Sequence, residues 1–406
     1  MNIETFFNND EAKRFFFPGK VFIGSGVAER AAELISQYNS IAIVVDRAFS
    51  NSLLYERLIE AGKEGGLVTW VVQGAPYAQD IVEFIGRMGE IPDVVVSIGG
   101  GSAADFAKSI ILHALFGTID GIGVGNKLGL EPKAGAKRPT YIAIPTTAGS
   151  GAEASRYFVT YDKHTHGKVY GKTWQIVADW IFLDPKYLAA MPESTLAACA
   201  FDAFLHFFET FVAKHERSSF GEMFSLDGIP RIMKALDDAI NHGERNAKTH
   251  EELLYAATLA GMAISNVRTG NIHEAAGALL ELTELSHPET LFVFFRDAVE
   301  QYVKAIEDRE NLLLSHLRLL PVFAEFSSLE DVVLWWEKIF LKTGLDARIR
   351  KAIAELKPSS YKVHDHVFQR VYSDKVWINK ESPLPLDEKE IRRFIERSLN
   401  RFGLSV

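Results

Sequence analysis

Short apolar runs rich in β-branched residues recur through the first half of the chain: Ile41–Val45, Leu67–Val72, Val94–Ile98, Tyr141–Ile144 and Trp180–Leu183. Helix-compatible stretches, Ala28–Gln37 and Ala103–Leu115, separate some of them. Strands alternating with helices predict a parallel sheet with helices on its faces. Past residue 188 the period changes. Apolar residues recur at helical spacing, as in Leu253, Ala256, Ala257, Ala260, Gly261 and Ile264. Helices are predicted over Thr195–Val212, Met223–Ile240, Glu289–Ile306, Leu329–Leu341 and Asp387–Arg401. Glycine follows the same division, with 22 of 30 in residues 1–188, where short strand-to-helix turns need it. Pro185 and Pro192 punctuate the change. The expected organisation is an α/β domain over 1–188, an all-helical domain over 189–406, and a cleft between them.

Composition narrows the function. Hydrophobic residues make up 47% and charged residues 24% of the 406, a globular balance. The net charge is −9 and no basic arm forms, which argues against nucleic-acid or anionic-membrane partners. One cysteine, Cys199, excludes an internal disulfide and a Cys-rich zinc site, and fits a reducing compartment. Met1–Asp10 lacks the pattern of a secretory signal, and no apolar run is expected to reach the length of a membrane span. A cytoplasmic protein is expected.

Two glycine-rich loops follow predicted strands. Gly99-Gly100-Gly101-Ser102 comes after Val94–Ile98 and opens a helical run. Its glycines permit close approach of a phosphate, and the helix would aim its first amides at the negative charge. A tight turn without ligand gives the same pattern. The second loop, Pro145-Thr146-Thr147-Ala148-Gly149-Ser150-Gly151-Ala152-Glu153, adds the hydroxyls of Thr146, Thr147 and Ser150. Two such loops in one α/β domain favour a dinucleotide. Asp46 closes the run Ile41–Val45, where a carboxylate can bond to an adenosine ribose and repel a 2′-phosphate, favouring NAD over NADP; it can equally start a turn.

Asp202 and His206 stand four apart in a predicted helix, so both emerge on one face. His273 and His287 follow, fourteen residues apart. One carboxylate and three imidazoles suit Fe²⁺ or Zn²⁺ and leave room for a substrate oxygen. A continuous helix from His273 to His287 would separate them by about 21 Å. The chain must therefore bend, and Ser286-His287-Pro288-Glu289 reads as the start of a new helix. His364 and His366, which flank Asp365, read as a solvated loop, as do His164 and His166.

These residues carry a resemblance. Gly99–Ser102 with Asp105 and Lys108 resembles the GGGS-x-x-D-x-x-K signature of the iron-containing (group III) alcohol dehydrogenases, within the dehydroquinate synthase-like superfamily. Pro145–Glu153 (PTTAGSGAE) is similar to their PTTxGTGSE loop, and Phe201–Glu209 (FDAFLHFFE) to their MDALTHAIE helix. Pro18–Gly26 and Asp184-Pro185 also fit, so the likeness runs from about residue 17 to 300. It implies an NAD-linked enzyme acting on an alcohol or aldehyde, with Asp202, His206, His273 and His287 holding the metal, iron before zinc. Asp46, Gly99, Gly100, Gly101, Ser102, Asp105, Thr146, Thr147, Ser150 and Lys168 would bind cofactor. A homodimer is expected. The chain departs from the pattern at Gly277, where the family usually has a second histidine, at Pro288 after the fourth ligand, at Ala200 and at Ser150. Gly277 predicts a substrate larger and more polar than ethanol or propanediol, and Gly151–Ser155 (GAEAS) resembles that of members oxidising an eight-carbon sugar acid. Arg156 and Arg268 are candidate partners for an anionic group. The alternatives are a sugar-ring synthase of the 3-dehydroquinate synthase type and a non-catalytic nucleotide-binding protein.

Overall fold

The computed structural model describes residues 17, 19–119, 132–164, 167–214, 219–373, 382–383 and 386–405. Met1–Asp10, Pro18 and His166 lie outside them. The strands are β1 (Lys20–Ile23), β2 (Ser40–Asp46), β3 (Gly66–Val72), β4 (Val94–Gly99), β5 (Thr140–Pro145), β6 (Tyr157–Tyr161), β7 (Lys168–Lys172) and β8 (Trp180–Leu183). Six of them form one sheet in the order β1-β8-β5-β4-β2-β3, and every pairing in it is parallel. β4, buried at every position, lies at its centre, which is why Val94–Ile98 shows no polar alternation. β6 and β7 form a separate antiparallel pair. Helices α1 (Arg30–Ile35), α2 (Leu53–Gly62), α3 (Ala78–Met88) and α4 (Gly101–Phe116) belong to the same half of the chain.

From β2 the chain steps outward to β3, then returns to the other side of β2 to make β4 and next β5. The connections therefore diverge between β2 and β4, and ligands of open α/β sheets bind at such a switch point, beyond the carboxyl ends of the strands. Asp46 ends β2 there and Gly99 ends β4.

The remaining helices are α5 (Glu193–Val212), α6 (Ser219–Asn241), α7 (Ala247–Asn266), α8 (Asn271–Leu280), α9 (His287–Tyr302), α10 (Glu307–Leu317), α11 (Leu329–Lys342), α12 (Leu345–Glu355), α13 (Ser360–Ser373) and α14 (Glu388–Arg401). Two compact units result: Met1–Ala190 with Asn246–Ser265, and Met191–Arg245 with Asn266–Val406. Beside the expected division at 188/189, the notable feature is that α7 groups with the sheet. The cause is a backbone contact: a Cβ on Gly261 of α7 would lie 2.1 Å from the Gly151 carbonyl oxygen, and one on Gly151 would lie 2.3 Å from the Ala257 oxygen. Thr258 donates to Glu153 at 2.7 Å, and Ser265 Oγ accepts from the Arg156 amide at 3.0 Å.

In the second unit α5 has two faces. Phe201 and Phe204 pack on Trp336 with ring centroids 4.9 and 5.1 Å apart, and Phe201 also meets Phe292, Phe295 and Phe340. About 130° round the helix, Asp202, His206 and Glu209 share the opposite side. Among the described residues one helix, α5, is long and apolar enough to cross a membrane by length and composition alone, but it is 89% buried inside the protein, so its apolar character is that of a core helix.

Candidate metal centre and nucleotide-binding loops

Spacing alone puts Asp202 and His206 on one face of α5; packing brings the other two histidines to them. α8 carries His273. After Leu280 the chain leaves the helix, and α9 begins at His287. Ser286 caps it in a reciprocal box with Glu289, its amide meeting the Glu289 carboxylate at 2.8 Å, and Pro288 takes the first turn. The expected bend is therefore present.

The Asp202 Oδ1 atom is the meeting point. His206 Nε2 lies 3.6 Å from it, and the Nε2 atoms of His273 and His287 each lie 3.9 Å away. None of these is a hydrogen bond, and Asp202 Oδ1 is buried with no hydrogen-bond partner. Donors about 2.0–2.2 Å from one tetrahedral ion would stand roughly 3.3–3.6 Å apart. A buried carboxylate oxygen without a donor is costly, and a cation removes the cost. Among the described residues, Asp202, His206 and His273 have ligand atoms all within 4.8 Å of one another. His287 is the more exposed fourth, its side chain 31% accessible. The residues present fit a divalent ion.

Glu209 completes the centre, and sequence reasoning gave it no role. Buried on α5, it accepts from the Ile272 amide at 2.8 Å and pairs with His273 Nδ1. A carboxylate on Nδ1 fixes the ring and turns the Nε2 lone pair toward Asp202. Burial pushes the Glu209 carboxyl up to about 7, against the lowering effect of the Gly270 and Ile272 amides. The signal was present in FDAFLHFFE, three residues beyond His206, but its partners lie more than 60 residues further on.

The two glycine-rich loops of the first unit abut. β4 and β5 are neighbours, with Gly99 opposite Pro145, and the Thr146 amide donates to the Gly99 carbonyl at 3.1 Å. Gly99 has φ 153°, and a Cβ there would stand 2.7 Å from Ala103 Cβ and 2.9 Å from Asp46 Cβ. At Gly100 a Cβ would meet Thr147 Oγ1 at 2.9 Å, and at Gly101 Ser150 Oγ at 3.1 Å. Bare backbone, two hydroxyl residues and the first turn of α4, which includes Ser102, thus meet at one place. Asp46 stands beside them, one oxygen capping the turn at Ala48 at 2.9 Å. Asp105 accepts from the Val159 amide at 3.2 Å and lies 3.7 Å from Lys108, whose ammonium donates to the Tyr157 carbonyl at 2.6 Å. This pair ties α4 to β6. Burial raises the Asp105 carboxyl to about 6 and lowers Lys108. Lys168 opens β7, where its charge acts on Asp105.

Comparison with known proteins decides the family. The model for "iron-containing alcohol dehydrogenase" matches residues 18–185, and that for the C-terminal part of the Fe-containing alcohol dehydrogenase family matches 196–348. The chain belongs to the iron-containing alcohol dehydrogenase family. Alcohol dehydrogenase 4 of Saccharomyces cerevisiae is 29% identical over 279 residues, 67% of this chain and 71% of that one. The NAD-dependent methanol dehydrogenase of Bacillus methanolicus is 28% identical over the same shares. Among solved structures, the iron-containing alcohol dehydrogenase of Thermococcus thioreducens superposes with a TM-score of 0.78 at 19% identity, covering 95% of this chain and 100% of that one. As a member of this family the protein is an oxidoreductase acting on CH–OH groups, which sets aside the ring-synthase and non-catalytic alternatives.

Other candidates resolve differently. His364 and His366 lie on α13, so the loop reading is corrected; the consecutive polar residues His364, Asp365 and His366 drew attention from Val363, Val367 and Val371, which recur at helical spacing. His364 is buried against the Leu404 carbonyl at 3.0 Å, and His366 meets Glu281 at 3.0 Å. His164 sits in a turn, its amide on Asp162. Arg268 pairs with Glu274 at 3.3 Å.

Proposed function

We propose that this iron-containing alcohol dehydrogenase is NAD-linked and holds one divalent ion, iron before zinc, on Asp202, His206, His273 and His287. The observation that carries the reading is the convergence of three imidazole nitrogens on the unpartnered Asp202 Oδ1. When bound, the ion supplies Lewis-acid polarisation of the substrate oxygen and the nicotinamide supplies the hydride acceptor or donor. The rest belongs to the chain. Glu209 holds the Nδ1 proton of His273 and so orients the ring. Gly99–Gly101, Ser102, Thr146, Thr147 and Ser150 receive the pyrophosphate, with the N-terminus of α4 facing its charge. The free oxygen of Asp46 accepts from the ribose and disfavours NADP; the methanol dehydrogenase relative, named as NAD-dependent, supports that choice. Asp105 and Lys168 line the cofactor side.

The substrate we expect is a polar alcohol or aldehyde larger than ethanol, sugar-like or bearing a phosphate or phosphonate. Gly277 is buried one turn beyond His273 on α8 and brings no side chain to the face that His273 occupies. Metal analysis and turnover of His273→Ala test the centre: the variant should lose both ion and activity, and full retention of either refutes the ligand set. Short n-alkanols compared with polyhydroxylated substrates test the pocket. A homodimer in the cytoplasm is the expected setting, checked by sedimentation velocity and fractionation.

A further inference from the structure

Helix α8 opens without a cap of its own. The N–H groups that begin a helix have no partner inside it, and buried ones must find acceptors elsewhere. Gly270 stands at the N-cap, and no side chain caps the turn from that position. Asn271, the first residue of the helix, does not serve either. It is buried, its Oδ1 has no partner, and its Nδ2 donates to Ser382 Oγ at 3.3 Å. Bonding along the helix begins with the Glu274 amide, which donates to the Gly270 carbonyl at 3.3 Å. The amides of residues 270–273 are left for acceptors from outside α8.

Two residues of other helices supply them, all within the second unit. Glu209 of α5 accepts from the amides of Gly270, Ile272 and His273, with Ile272 at 2.8 Å. A Cβ on Gly270 would stand 3.0 Å from Glu209 Oε1, so the bare N-cap is what admits the carboxylate. The Asn271 amide goes instead to the hydroxyl of Tyr302, the last residue of α9. That hydroxyl is also bonded to Ser382, the residue that accepts from Asn271 Nδ2. Tyr302 and Ser382 are each 1% exposed, so no water replaces these bonds cheaply. Burial pushes the Tyr302 hydroxyl well above the ordinary tyrosine range, and it stays a neutral phenol. Asn271, Ser382 and Tyr302 thus close a ring of contacts around one backbone amide, two residues before His273.

We propose that Tyr302 is a positioning residue of the metal centre: its hydroxyl, held by Ser382, fixes the first turn of α8 and so aims the His273 ring at Asp202. His273 is the third residue of that turn, with its Nε2 3.9 Å from Asp202 Oδ1. A ligand constellation tolerates displacements of only about 0.5 Å. Glu209 acts on both the ring and the turn, Tyr302 on the turn alone. The inference rests on the ligand set proposed above. The test strips the full-length protein of metal, then titrates it with Co²⁺, read by visible absorption, and with Zn²⁺ against a competing chelator. Tyr302→Phe keeps the ring and removes the hydroxyl. It should weaken Zn²⁺ binding at least about five-fold and shift the Co²⁺ bands, as the loss of an outer partner of a ligand does. Ser382→Ala should act in the same direction to a smaller extent, and the double variant should bind no more weakly than Tyr302→Phe. Tyr141→Phe is the control. It removes another buried phenol hydroxyl, 3.0 Å from Ser97 Oγ in the first unit, and should bind both ions as the wild type does. A Tyr302→Phe protein that melts lower but keeps the wild-type affinity and spectrum overturns the proposal and leaves the hydroxyl a helix cap. An equal loss of affinity in Tyr141→Phe also overturns it, by tracing the effect to general destabilisation. His273→Ala separates this inference from the reading beneath it. Loss of the ion there, with wild-type binding in Tyr302→Phe, removes the positioning role and keeps the ligand set; retention of the ion in His273→Ala removes both. Should Tyr302→Phe not fold, Ser382→Ala carries both measurements.

Discussion

Replacing Gly261 with alanine sets two effects of opposite sign against each other. In a helix interior, glycine to alanine is worth up to about 1 kcal/mol of added stability. Here the new Cβ would lie 2.1 Å from the Gly151 oxygen and 2.8 Å from its carbon, both backbone atoms that cannot rotate away. Ordinary contact requires α7 and the loop to part by roughly 1 Å. Overpacking of this kind costs about 1–3 kcal/mol. The same movement stretches the Thr258–Glu153 bond, 2.7 Å long, and both bonds made by Ser265 Oγ to Ala154 and Arg156. Each weakened bond adds about 0.5–1.5 kcal/mol. Contact wins over propensity, and Gly261→Ala should be destabilised by about 2–6 kcal/mol net. The loop carries Thr146, Thr147 and Ser150, so NAD affinity should fall about ten-fold with a displacement of that size. Denaturant midpoints and fluorescence titration of NAD measure the two effects. A variant as stable as the wild type, or more so, with unchanged NAD affinity would show that helix propensity governs position 261.

Three further outcomes are expected. Glu209→Gln should weaken metal binding about 10–100-fold in a chelator competition, because His273 loses the carboxylate that orients it; unchanged affinity would leave Glu209 a purely structural residue. Asp46→Ser should shift the NAD-to-NADP ratio of kcat/KM toward NADP by about ten-fold or more, a like-charge contact having been removed; the reasoning fails if the unaltered enzyme already uses both equally. Ser286→Ala should cost about 1 kcal/mol of stability by opening the capping box at the head of α9, and should lower metal affinity with it. Loss of stability with full metal affinity would mean that His287 is positioned by packing and not by the cap.

What the sequence made legible follows a physical line. Ile41–Val45 and Val94–Ile98 announce strands because both faces are covered, whereas β1 is an edge strand of four residues, largely exposed, with no burial pattern to read. α13 hid behind His364, Asp365 and His366, whose polarity imitates a loop. Asp202 and His206 are readable because helical spacing is local information. His273 and His287 needed family likeness, since their return to Asp202 depends on how α8 and α9 pack. Glu209 and the placement of α7 lie further out of reach. One depends on backbone amides met only after folding, the other on two glycines, 151 and 261, whose meaning is the absence of a side chain at a crossing of backbones.

The ligand face of α5 has a consequence for folding as well as chemistry. An ion held by Asp202, His206, His273 and His287 would staple three helices together at their side chains, closing loops of the chain as a disulfide does. This protein has one cysteine and cannot form an internal disulfide. Such a staple is reversible and its strength is set by mass action: free metal at a hundred times its dissociation constant adds about 2.7 kcal/mol to the folded state. The aromatic face of the same helix lies in the core, so that increment is transmitted to the Phe201–Trp336 cluster and not confined to a surface site. With such an ion bound, the melting temperature of the protein would become a gauge of metal saturation, readable without substrate, and cellular metal supply would become a determinant of how long the protein survives.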